Sequence, residues 1–192
     1  FRRVLFRSPA NAGGWIVWVA IADVAAYVRP NTALDREARA KGNSTYFPDR
    51  VEPMLPEVLS NGLCSLKQGE NRACMAVRMV FDKDGRKTGH KFTRGLMRSH
   101  AKLSYEQAQS AIDGLLDDAT GPIMEAILYP LWNAYRTMLK GRERRSPLAI
   151  ESPERRIIMS PDGGIAGIEP RKSLEAHRLI EEMMIQANVC AA

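Results

Sequence analysis

With 192 residues, 45% of them hydrophobic and 26% charged, the chain can bury the core of one domain. No apolar run reaches the roughly 18 residues of a membrane span. Cys64, Cys74 and Cys190 are scattered without CxxC or Cys/His spacing, which excludes a zinc site and a disulfide framework and points to reduced thiols in a cytoplasmic protein.

The opening FRRVLFRS, Phe1 to Ser8, shows neither a helical nor a strand period. It is read as translated adapter sequence and set aside. Without Arg2, Arg3 and Arg7 the formal charge falls from +6 to +3, so charge decides little about polyanion binding. Gly13-Gly14 reads as a turn, and WIVWVAIAD from Trp15 to Asp23 as a strand buried on both faces. Leu34 to Lys41 is a short charged helix, with Thr32 as its N-cap and Gly42 just past its end. Asn43 to Leu66 holds Pro48, Pro53 and Pro56, with one short helix expected at Glu57 to Asn61. Irregular stretches of that length concentrate function.

Arg72 to Phe81 and Arg86 to Leu103 read as strands of a hairpin turning at Asp82-Lys83-Asp84-Gly85. Ser104 is placed to cap a helix, with Gln107 at the reciprocal position of a capping box. Pro122 to Arg144 is long and amphipathic and ends in the basic run Lys140 to Arg145, read as a solvated helix end favoured by the dipole. A second hairpin is expected over Ile157 to Ile168, turning at Asp162-Gly163-Gly164. A last helix is expected over Ser173 to Ala192. Strands and helices mix without strict βαβ alternation. The class is α+β, with a mixed, largely antiparallel sheet and packed helices.

Four segments in order resemble the RNB family of exoribonucleases. They are AIADVAAYV (Ala20 to Val28), LDREARAKGNSTYFPDRVEPMLP (Leu34 to Pro56) with LSNGLCSL (Leu59 to Leu66), MRSHAKLSY (Met97 to Tyr105), and HRLIEEMMIQANVCAA (His177 to Ala192). The resemblance implies that residues 9–192 are the N-terminal half of an RNB catalytic domain, cut at both ends. It implies a cytoplasmic 3′→5′ hydrolytic exoribonuclease that threads single-stranded RNA down a channel and releases nucleoside 5′-monophosphates. It further implies OB-type RNA-binding domains on either side, and Mg²⁺ held by aspartates, since hard cations want oxygen ligands. That cluster, of the form DxxxxxDxDD, belongs just before Trp15 and is absent there. Asp113, Asp117 and Asp118 have the wrong spacing to replace it, so no catalytic or metal residue is assigned in this chain. The family's phosphoryl-transfer arginine would lie beyond Ala192.

The residues implied to contact RNA are Tyr46, Tyr105 and Glu181. Tyr46 matches a tyrosine that stacks near the 3′-terminal nucleotides; its plainer reading is a half-buried loop residue anchored by its hydroxyl. Tyr105 matches a tyrosine close to the scissile phosphate, against a first-turn residue packing on the hairpin. Glu181 matches a glutamate that accepts from the terminal ribose, a contact that favours RNA over DNA. Glu182, next along the helix, points about 100° away. Ile150 stands where many members carry a phenylalanine that clamps RNA at the channel mouth, and isoleucine cannot stack. His100 and His177 lack partners at metal spacing and are read as core or hydrogen-bonded surface residues. A second reading, an RNB-fold RNA-binding or regulatory protein without catalysis, differs only in whether the aspartates exist.

Overall fold

The computed structural model describes residues 4–10, 13–144, 155–161, 163–170 and 173–192. In chain order its elements are β1 (Val4–Ala10), β2 (Gly14–Ala22), α1 (Ala33–Lys41), β3 (Thr45–Tyr46), β4 (Val51–Glu52), β5 (Asn71–Phe81) and β6 (Lys87–Arg98), followed by α2 (Tyr105–Ile112), α3 (Tyr129–Arg144), β7 (Arg155–Met159), β8 (Ile165–Pro170) and α4 (Glu175–Ala191). They fall into two compact units. One comprises Phe1–Ala22, Leu66–Leu148 and Ser173–Ala192; the other comprises Asp23–Ser65 and Ala149–Lys172.

The first unit is built on a four-stranded antiparallel sheet in the order β1-β2-β5-β6. Side chains alternate across a strand, and the pairs Val17↔Met79 and Val19↔Val77 put four buried apolar residues on one face. Against that face pack Trp132, Tyr135 and Met138 of α3 and Leu179 and Met183 of α4, each at most 2% exposed. A smaller cluster of Ala20, Cys74 and Ala76, with Trp18 and Met97, involves the other face of β2 and β5. The apolar run from Trp15 is therefore buried on both sides at its centre, although Ile21 near its end is exposed.

The turn from β5 to β6 fixes its position on α3. Gly85 has φ 75°, a region that glycine enters without steric cost. A Cβ at Gly141 of α3 would overlap the carbonyl oxygen of Gly85, and one at Gly85 would overlap that of Thr137. The hairpin turn and the helix thus touch backbone to backbone, which two glycines permit.

Several local readings differ from the structure. The segment read without a strand period supplies β1, paired antiparallel to β2 with an irregularity between Phe6 and Pro9. The strand read as reaching Leu103 ends at Arg98. The Pro122–Arg144 helix is broken: a 3₁₀ turn covers Gly121–Ile123, a π turn Met124–Leu128, and α3 starts only at Tyr129. Pro130 explains the break. It has no N–H to donate back into the preceding turn, so the regular α ladder cannot run through it. The short helix expected at Glu57 is likewise a π turn, Val58–Leu63.

In the second unit, Thr32 caps α1 by accepting from the Asp35 N–H, and Gly42 closes the helix at φ 75°. Ala38, Leu55 and Leu59 form its buried cluster, joined by Tyr27, Leu34 and Met54. The β7–β8 hairpin pairs Ile157 with Ile168 as expected. The turn residue Asp162, the clamp position Ile150 and Arg145 lie outside the described residues.

Candidate nucleic-acid interface

Tyr105 owes its position to its neighbour. Ser104 Oγ accepts from the Gln107 N–H at 3.1 Å, and Gln107 Oε1 accepts from the Ser104 N–H at 3.0 Å, the capping box read from the sequence. Tyr105 is therefore the first residue of α2. Its ring stacks on His177 of α4, with centroids 4.1 Å apart and planes at 16°. It also packs against the main buried cluster, to which β2, β5 and the helices contribute. His177 Nδ1 accepts from the Leu174 N–H at 3.2 Å, and Gln109 Oε1 accepts from the Ala176 N–H at 3.0 Å. Two of the donors orphaned at the start of α4 are thus satisfied, one by its own histidine and one by α2.

Glu181 follows His177 by four residues, so the two share one stripe of α4. Tyr105, His177 and Glu181 consequently form a continuous tract. The Glu181 side chain is 53% exposed, whereas that of Glu182 is 0% exposed. The two terminal nitrogens of the Arg142 guanidinium donate to Glu181 Oε1, Nη1 at 3.1 Å and Nη2 at 3.2 Å, and Nη1 also donates to Glu182 Oε2 at 3.2 Å. Gln186 donates to Glu182 Oε1 at 2.9 Å. Burial works against the Arg142 charge, but Glu181 and Glu182 more than offset it, and the guanidinium holds its proton more firmly than usual. The buried glutamate anchors the arginine, and the arginine orients the exposed glutamate. Sequence reasoning placed the Lys140 to Arg145 run in solvent; Arg142 instead bridges α3 and α4 across 39 and 40 residues.

Tyr46 sits in the second unit at the end of β3, paired with Val51 of β4. The link closes tightly: the Phe47 N–H donates to Arg50 O at 2.8 Å, and the Arg50 guanidinium lies 4.5 Å from the centre of the Phe47 ring. Ser44 Oγ accepts from the Met54 N–H at 2.9 Å and ties the two sides of the loop. Tyr46 itself is 77% exposed, and its hydroxyl makes no hydrogen bond among the described residues. The loop is held by Ser44, Arg50 and the backbone.

No group of three or more His, Cys, Asp or Glu among the described residues could hold a metal ion. Asp113 caps the end of α2, and Asp117 closes a loop by accepting from the Thr120 hydroxyl at 2.7 Å. That hydroxyl and the Thr120 amide hold the Asp117 carboxyl below its usual range. His100 is exposed. The described residues do not fit the Mg²⁺ implied by the resemblance. None of the three cysteines is in a disulfide; burial, and then Asp23, push the Cys64 thiol up, away from the reactive thiolate. Among the described residues no helix is long and apolar enough to cross a membrane.

The RNB domain model matches residues 4–192, so the chain belongs to the RNB family. Within that family it is similar to Ribonuclease R of Escherichia coli, with 45% identity over 194 residues, covering all of this chain and 24% of that protein. It is also similar in structure to Mycoplasma genitalium RNase R in complex with ribose-methylated single-stranded RNA. That likeness has a TM-score of 0.90 at 28% identity and covers 98% of this chain and 29% of the other. The same enzyme in complex with double-stranded RNA gives a TM-score of 0.85 at 26% identity, covering 96% and 35%. The chain spans between about a quarter and about a third of the length of these relatives.

Proposed function

We propose that this chain is the RNA-gripping portion of a 3′→5′ hydrolytic exoribonuclease that takes single-stranded RNA and releases nucleoside 5′-monophosphates. Tyr46 stacks on bases near the 3′ end, Tyr105 lies beside the scissile phosphate, and Glu181 accepts from the terminal ribose hydroxyl. In the parent, Mg²⁺ is held by residues that this chain does not contain, and OB-type domains flank it. The chain by itself is therefore expected to release no mononucleotide from poly(A).

The observation that carries the reading is the continuous tract Tyr105–His177–Glu181. It sets an aromatic ring one helical turn from an oriented, solvent-facing carboxylate in a chain that matches Ribonuclease R throughout. A stacked ring beside a fixed acceptor suits a terminal nucleotide, whose base has a π-face and whose ribose has a hydroxyl donor. The exposed Tyr46 ring supports its role independently, because nothing in its loop depends on the hydroxyl.

The test carries residues 13–192 into the Escherichia coli relative in place of the matching stretch, and then substitutes Tyr46. Loss of one stack is worth about 1–3 kcal/mol, so Tyr46→Ala should weaken 3′-end binding roughly fivefold to 150-fold and lengthen the smallest product. Tyr46→Phe keeps the π-face and should match the unsubstituted chimera. Equal damage from both variants, with lowered thermal stability in each, would assign Tyr46 to holding its loop.

A further inference from the structure

We propose a second RNA contact, resting on the RNA-binding reading above: strand β6 carries the interior of a single strand along its exposed length. The observation is where the chain's charge resides. Strands β2, β5 and β6 contain no Asp or Glu, while β5 and β6 hold Arg72, Arg78, Lys87, Lys91, Arg94 and Arg98. No acidic side chain within these strands offsets them, although Glu70 just before β5 pairs with Arg72, and Lys87 donates to Cys190 Sγ at 3.1 Å.

Four of the six stand on β6, an edge strand of the described sheet. Every residue from Gly89 to Leu96 is intermediate or exposed, and His90 to Leu96 are all exposed. Phe92 is 39% exposed and braced edge-on by His90, with centroids 5.9 Å apart at 81°. Leu96, further along, is 76% exposed. From Lys91 to Arg98 the strand runs about 23 Å. The pairs Phe92↔Val77, Arg94↔Met75, Leu96↔Ala73 and Arg98↔Asn71 put Phe92, Arg94, Leu96 and Arg98 on one face of β6 and leave Lys91 on the other. Cations that share a face with an exposed aromatic ring form the pattern that grips single-stranded nucleic acid, where phosphates meet the cations and a base meets the ring. An acidic peptide would satisfy the cations but leave Phe92 without a stacking partner, so RNA is the better fit.

The experiment uses the 192-residue chain and a 5′-labelled 20-nucleotide poly(A), followed by fluorescence anisotropy from low to 1 M salt. Arg94→Gln with Arg98→Gln removes two exposed charges from the face that carries Phe92. If each meets a phosphate, the slope of log affinity against log salt should shrink by about 1.4. Affinity at 0.1 M salt, relative to 1 M, should then fall about 25-fold. Arg94→Lys with Arg98→Lys should restore both, which separates lost charge from lost fold. Phe92→Ser should weaken binding without changing the slope. Tyr46→Ala, read in parallel, should lower affinity with the slope intact. An unchanged slope in the Gln pair alongside a weakened Tyr46→Ala would overturn the β6 site and leave the 3′-end reading standing. The reverse result would overturn the Tyr46 assignment alone. Equal binding of polyglutamate, or no binding of RNA by the unsubstituted chain, would overturn the β6 proposal.

Discussion

Replacing Arg142 by methionine should destabilise the chain far more than a surface ion pair would. Glu182 is fully buried, so deleting its cation leaves a carboxylate out of reach of water with that partner gone. Breaking a buried pair in this way costs about 3–5 kcal/mol. The Arg142 side chain is 30% exposed, and Gln186 still donates to Glu182, so the lower end, about 3 kcal/mol, applies. Glu181, 53% exposed, makes a pair of the surface kind, worth about 0–1 kcal/mol. Urea denaturation is the assay, with the midpoint compared at constant slope. Arg142→Met should lose about three times as much stability as Glu181→Gln, and Arg142→Met combined with Glu182→Gln should recover most of the loss, because an amide is cheaper to bury than an unpaired charge. If Arg142→Met costs no more than Glu181→Gln, or if the double variant recovers nothing, then Glu182 does not anchor the arginine and Glu181 is not oriented through it.

Two further substitutions test the scaffold. Gly141→Ala would gain up to about 1 kcal/mol in an open helix, but the added Cβ meets the Gly85 carbonyl, so a net loss of about 1–2 kcal/mol is expected; a raised melting temperature would refute the close approach. Asp117→Asn removes a carboxyl whose folded pKa is held below its unfolded value near 3.9, a contribution present above that pH and lost as pH falls through the lowered folded value. The stability gap between wild type and this variant should therefore be flat from pH 7 to about 5 and narrow below about 4, and a gap that persists unchanged at pH 2 would show that Thr120 does not act through the charge.

What was legible in the sequence was local. The Ser104/Gln107 box, the Thr32 cap and the Asp82–Gly85 turn each depend on residues within four positions of one another, and each formed as read. The order of segments was specific enough to imply the family. What escaped depended on distant partners. Strand β1 has no period of its own and becomes a strand by pairing with β2. Arg142 looks like one more solvated cation until α4 presents Glu182 beneath it. His177, read as a plain core or hydrogen-bonded histidine, does make that hydrogen bond, but it also provides the surface on which Tyr105 stacks. Its i,i+4 spacing to Glu181 was the available signal.

The most direct measurement is photocrosslinking of a poly(A) strand that ends in a single 3′-terminal 4-thiouridine, with the modified peptides identified by mass spectrometry. If the tyrosines grip the 3′ end, crosslinks should fall on the peptides that hold Tyr46 and Tyr105, disappear with excess unlabelled RNA, and survive a DNA competitor lacking the 2′-hydroxyl. Crosslinks confined to other peptides, or labelling of Tyr46 and Tyr105 that unlabelled RNA does not compete away, would contradict the assignment.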